Sequence, residues 1–165
     1  MKKTIPISIG IIVLLGALFF FGKQSSEQTK ENDTGAQEET AIETSESSFD
    51  FGTISMAKGK VSRIFKIKNA GAESIGLKKL YTSCMCTTAS YKKGEEKRGP
   101  FGMPGHGIVP PLGVELGSNE EAEVEVVFDP AAHGPAGVGM IERVVTFETE
   151  SGKVVNLGIK ANVTP

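Results

Sequence analysis

An all-β fold, an antiparallel two-sheet sandwich of about seven strands, is what residues 49–165 predict. Three observations carry this: apolar side chains recur with a period of two, turn residues separate the runs, and no stretch shows a capped 3.6-residue stripe. Val61, Arg63, Phe65 and Ile67 alternate with Ser62, Ile64, Lys66 and Lys68, and Ala122, Val124, Val126 and Phe128 alternate with Glu121, Glu123, Glu125 and Val127. Ile141, Val145 and Phe147 share one parity, as do Val155, Leu157, Ile159, Ala161 and Val163. Asn69-Ala70-Gly71, Gly117-Ser118-Asn119, Asp129-Pro130 and Glu150-Ser151-Gly152 supply the turns. The strands are expected near 49–54, 60–68, 75–81, 110–116, 121–128, 141–149 and 153–163.

What precedes the sandwich has a different character. After Met1, Lys2 and Lys3 comes an uncharged run from Thr4 to Gly22. As a helix it would span roughly 28 Å, close to the ~30 Å hydrocarbon core of a bilayer. The run is too long for a signal peptide's apolar region. No small-x-small cleavage motif follows its Leu18-Phe19-Phe20-Phe21 end, and the lipoprotein cysteine is missing there. Residues 1–23 are therefore expected to be an uncleaved, single-pass anchor contacting membrane lipid. Lys2 and Lys3 outweigh Lys23, which orients the short N-terminus to the cytoplasm and the rest to the extracytoplasmic side. Residues 24–48 set Lys30 against Glu27, Glu31, Asp33, Glu38, Glu39, Glu43 and Glu46 around a single Ile. Such a segment buries too little apolar area to offset its ordering entropy and reads as a disordered acidic tether.

Composition excludes several classes. The 165 residues carry 18 basic and 20 acidic side chains, so net charge gives no general nucleic-acid surface. Two Cys and two His are too few for a disulfide-stapled miniprotein or a zinc finger. No nucleophile elbow, P-loop, zincin or dinucleotide motif is present, so no enzyme activity is expected. Lys60, Lys66 and Lys68 are expected to face Glu121, Glu123 and Glu125 across neighbouring strands, each pair contributing about 0.2–1 kcal/mol. The mixed-charge run 91–98 reads as a solvated loop.

FDFGTI, then V-x-x-x-F-x-I-x-N from Val61 to Asn69, Ser-Cys-x-Cys-Thr at Ser83 to Thr87, and V-x-V-x-F-D ending at Asp129 occur in that order. Together they resemble the bacterial domain-of-unknown-function family 1573, a resemblance that extends over nearly all of 49–165. It implies an extracytoplasmic immunoglobulin-like, Hydin-type sandwich of unassigned biochemistry. Two departures stand out: Met85 occupies a position where the family usually has a small residue, and 91–109 looks like an insertion.

Cys84 and Cys86 would lie roughly 6.5–7 Å apart in an extended strand, so bridging them requires a turn. The same CxC is a two-thiolate bite for a soft ion. If seven strands each reverse direction, the loops at 55–59, 82–109 and 129–140 share one end of the sandwich. That end then collects Met56, Cys84, Met85, Cys86, Met103, His106, His133 and Met140. Thiolate, imidazole and thioether are the ligand types of copper centres. The function expected first is a non-catalytic binding module of the bacterial envelope, with a protein partner and no cofactor. The alternative is copper or another soft metal held by Cys84, Cys86, Met103, His106 and His133, with Met85 and Met140 in reserve, for storage or delivery. Thiol redox is the third reading.

Overall fold

The computed structural model describes residues 41–165, and the anchor and most of the tether expected at the N-terminus lie outside them. Among the described residues, no helix is long and apolar enough to cross a membrane. Ten strands form two five-stranded sheets. One sheet has the order β1 (Ile42–Thr44), β3 (Val61–Asn69), β8 (Glu121–Phe128), β5 (Thr87–Lys93), β6 (Glu96–Phe101). The other has the order β2 (Ser48–Ser55), β10 (Val154–Thr164), β9 (Gly139–Thr149), β4 (Ile75–Thr82), β7 (Val114–Leu116). β1-β3-β8-β5 follows the A-B-E-D order of an immunoglobulin-like sandwich, and β10-β9-β4 follows its G-F-C order.

The period-two residues meet between the sheets. Phe65, Ile67, Val124 and Val126 from one sheet, and Leu80, Val145, Phe147, Leu157 and Ile159 from the other, are buried in a single cluster. Each such side chain contributes about 1.5–3 kcal/mol relative to exposure. In the polar parity, register sets Lys66 opposite Glu123 and Lys68 opposite Glu121, as the sequence predicts. Lys60, by contrast, pairs with Asp129 at 3.8 Å, and Ile64 stands opposite Glu125.

Three expectations change. First, the ordered unit begins before residue 49. Ile42, the lone apolar residue of the expected tether, is buried, and β1 pairs antiparallel with β3. The chain then crosses to the other sheet, where β2 runs parallel to β10. Arg63 clamps the crossing: its Nε donates to Glu46 at 2.6 Å, and its guanidinium lies 4.2 Å from the Phe49 ring centroid.

Second, 91–98 is not a solvated loop. It belongs to the β5–β6 hairpin, which turns at Gly94 with φ of +56°, a backbone angle that favours glycine. Tyr91 is buried there because the Thr87-Ala89-Tyr91 parity faces the core. Third, the strand expected at 110–116 shrinks to β7, with Leu112 plugging the core just before it. The hairpin adds two strands, an even number, so the loop-end arithmetic survives.

Asn69, the last residue of the V-x-x-x-F-x-I-x-N run, closes the end opposite the cysteines. Its buried amide donates to the Glu73 carbonyl at 2.7 Å and the Leu116 carbonyl at 2.9 Å, and its Oδ1 accepts from the Gly71 N–H at 2.9 Å. Asn69→Ala strands these groups and is expected to cost about 1–3 kcal/mol in urea denaturation. A loss below about 0.5 kcal/mol would show that water replaces the amide.

The Tyr91 hydroxyl has no hydrogen-bond partner among the described residues. Burial, aided by the Glu96 and Glu120 carboxylates, pushes its pKa up to about 12. An unfolded tyrosine ionises near pH 10, so Tyr91 contributes stability that is present below pH 10 and drains away as pH rises toward about 12. Tyr91→Phe should equal or exceed the wild type in stability at neutral pH and flatten the alkaline decline. A loss of more than about 1 kcal/mol in the variant would reveal a hydrogen bond at that oxygen.

Candidate functional site

A short crossover between the sheets passes through the CxC. β4 ends at Thr82 in one sheet, β5 begins at Thr87 in the other, and the turn between them carries both cysteines. Several hydrogen bonds fix it. The Thr87 N–H donates to the Cys84 carbonyl at 3.1 Å, and the Asp129 N–H donates to the Cys86 carbonyl at 2.8 Å. The buried Thr82 hydroxyl lies 3.0 Å from the carbonyls of both Cys84 and Thr87. This is the turn that bridging requires: it brings the α-carbons to 5.3 Å, and the sulfurs are joined as a disulfide.

The third partner comes from the loop between β8 and β9. His133 follows Asp129-Pro130 and precedes a short 3-10 turn at Gly134–Gly137. Pro135 stands at the start of that turn, and Gly134 has a φ of +56°. His133 Nε2 lies 3.2 Å from Cys84 Sγ. One ligand atom from each of Cys84, Cys86 and His133 falls within 4.8 Å of the others. The imidazole is exposed, Cys84 is half-buried, and Cys86 is buried against the core.

The other expected ligands lie along the loops of the same end or where they join β9. His106 is exposed and is not among the three residues of this group. It occupies a tight turn in which its N–H donates to the Met103 carbonyl at 3.2 Å, between Gly105 and Gly107, both at positive φ. Met103 is half-buried beside Gly102, whose carbonyl accepts from the Thr82 N–H. Met85, at the tip of the turn, is 49% exposed, and Met140 is 75% exposed. Met56 packs near Gly137.

Sequence reasoning missed one charged group. Arg143 Nε donates to Cys86 Sγ at 3.3 Å. Its position is set by β9, whose next residue exchanges two bonds with Ser83. The Ser83 N–H donates to the Val144 carbonyl and the Val144 N–H to the Ser83 hydroxyl, both at 2.9 Å. The Cys86 N–H also points at Cys84 Sγ, at 3.4 Å. The arrangement surrounds two sulfurs with hydrogen-bond donors and an imidazole, which suits thiolate, metal–thiolate or thiol-exchange chemistry. A separate cleft of about 270 Å³ on the outer face of the β1 sheet is lined by Lys66, Lys92, Lys93, Glu121 and Glu123, and Lys66 and Lys92 both stand opposite Glu123.

No curated protein sequence matches this chain. Among solved structures it is similar to a protein of unknown function from Porphyromonas gingivalis W83, with a TM-score of 0.54 and 15% identity, over 73% of this chain and 46% of that one. It is also similar to the secreted serine protease VesC from Vibrio cholerae, with a TM-score of 0.51 and 12% identity, over 81% of this chain and 26% of that one. The chain thus spans less than half the length of either protein, and identities this low show the fold alone. The family match starts at residue 42, where β1 starts, and runs to 102, so the β5–β6 hairpin falls inside it and only the following loop remains of the expected insertion. Residues 42–102, which include the CxC turn, match the family model described as protein of unknown function (DUF1573).

Proposed function

We propose that the chain is a membrane-tethered, non-catalytic binding module of the bacterial envelope whose loop end, with Cys84 and Cys86 as thiols, binds a soft metal ion, Cu(I) being the best fit. The apolar run from Thr4 to Gly22 and the lysines before it support the tether. The observation that carries the binding reading is the convergence of Cys84, Cys86 and His133 within 4.8 Å. Two thiolates and one imidazole form a three-coordinate soft set, which favours Cu(I) over hard cations. The turn supplies only the sulfurs. His133 arrives from a loop 49 residues away, so the fold assembles the site rather than the local sequence.

A protein partner at the same end is the second reading. Met85, Ile108, Val138 and Met140 are exposed large apolar side chains, and all four lie in the loops at this end or at their junction with β9. Exposed apolar side chains mark contact surfaces when they gather in one patch. A metal-delivery protein needs both features, one to hold the ion and one to meet its donor or acceptor.

Two outcomes are expected of the full-length chain, purified in detergent and reduced without oxygen. It should take up about one Cu(I) in competition with a chromophoric chelator, as a single site of two thiolates and one imidazole implies. His133→Ala should weaken binding, and the double variant Cys84→Ser/Cys86→Ser should abolish it while leaving affinity for an envelope protein partner intact. No uptake by the wild type, or undiminished uptake by the double variant, removes the metal reading. Loss of the partner with the cysteines would merge the two readings into one site.

A further inference from the structure

The two sulfurs of the turn have different surroundings, and the difference gives the pair a direction. Cys86 is 3% exposed. Its sulfur faces the Arg143 guanidinium, with Nε at 3.3 Å, and the Thr87 hydroxyl at 3.6 Å. Cys84 is half-buried and sits beside the exposed His133 ring. Arg143 is held in place as well, because its Nη1 donates to the Glu142 carbonyl at 2.8 Å and the adjacent Val144 is bonded to Ser83, the residue preceding Cys84.

We propose that Cys84–Cys86 is a thiol–disulfide exchange centre of fixed polarity that accepts electrons from a dithiol, with Cys84 the sulfur attacked and Cys86 the sulfur that leaves. A thiolate of the incoming dithiol forms a bond to Cys84 Sγ in line with the Cys84–Cys86 bond, which breaks. Its electron pair goes to Cys86 Sγ, where the positive charge of Arg143 and the Thr87 hydroxyl stabilise the departing thiolate. The second thiolate of the dithiol then attacks its own sulfur in the mixed disulfide and releases Cys84 as a thiolate. The dithiol is oxidised to a disulfide, the protein pair is reduced to two thiols, and the two protons of the dithiol balance the two new thiols. Exchange is stoichiometric, one protein disulfide per dithiol. The reaction needs no metal and stands independently of the Cu(I) reading, although it supplies the reduced pair on which that reading depends.

Leaving-group stabilisation is a recognised control on such exchange rates, and access selects which sulfur is attacked. The alternative polarity would require an attacking thiolate to reach a sulfur that is buried and covered by a guanidinium.

The test uses the full-length chain in detergent with a Cu(I) chelator present. Oxidised wild-type protein is treated with glutathione and quenched with acid, and peptide mapping locates the mixed disulfide. It is expected on Cys84; its appearance on Cys86, or equally on both, overturns the proposal. Opening of the wild-type disulfide by dithiothreitol is then compared with that in Arg143→Gln and Arg143→Lys. The glutamine variant is expected to open about tenfold more slowly, and the lysine variant to recover part of the rate, because the leaving thiolate loses and regains its positive neighbour. The control is Cys86→Ser, in which Cys84 reacts with oxidised glutathione and nothing leaves from position 86. Adding Arg143→Gln to that protein should not change its rate. An Arg143→Gln protein that opens at the wild-type rate, or that slows both reactions alike, assigns Arg143 a purely structural part and sinks the polarity. Failure of Cu(I) uptake with this pattern intact would remove the metal reading alone.

Discussion

The burial of one parity of side chains from each sheet against the other is the constraint on which everything else rests. Phe65, Val124 and Val126 on one side, and Val145, Leu157 and Ile159 on the other, are fully excluded from water. A slip of one residue in any of these strands would turn its whole apolar set outward and bring the intervening lysines and glutamates in. Register is therefore fixed strand by strand, and with it the positions at which each strand stops. The CxC turn and His133 have no attraction strong enough to find one another across so long a stretch of chain. They meet because β4, β5, β8 and β9 end where the core makes them end.

The same constraint explains what could be read from the residues. β3, β8, β9 and β10 were legible because they alternate over long spans with clear apolar and polar sides. β1 was hidden because it is three residues long and carries one apolar side chain. β5 was hidden because its inward parity is Thr87, Ala89 and Tyr91, small or polar residues followed by lysines, so its burial leaves a faint signal. β6 is an edge strand with mostly exposed charge, a composition that blunts edges against aggregation and also makes them resemble loops.

At the site, strand counting succeeded because it depends only on whether the number of reversals is even. The hairpin that was missed adds two, and the Cys, His and Met loops stay at one end. Counting gives an end but not a distance, so it groups His106, on its glycine-flanked turn, with the cysteines, although only His133 joins them in the convergent three. Arg143 was invisible for the opposite reason. It sits on β9 in the core-facing parity, between Ile141 and Val145, where a single charge is masked by the apolar alternation around it. Only the pairing of β9 with Ser83 brings its guanidinium to a sulfur.

The turn itself is built by the fold rather than by the bond between the sulfurs. Thr82 is anchored in one sheet and Thr87 in the other, and the hydrogen bonds from the Thr82 hydroxyl, the Thr87 N–H and the Asp129 N–H all end on carbonyls of residues 84–87. None of them involves a sulfur atom. Opening the disulfide therefore leaves the backbone tied at both ends, and the two thiols stay close with little further ordering to be supplied. A pair held this way can close again on oxidation or close around a soft ion with His133, since both outcomes ask for the same two sulfurs in the same place. The proposed metal capture and thiol exchange would thus share one preorganised crossover, with the redox state of the pair deciding which is open to it.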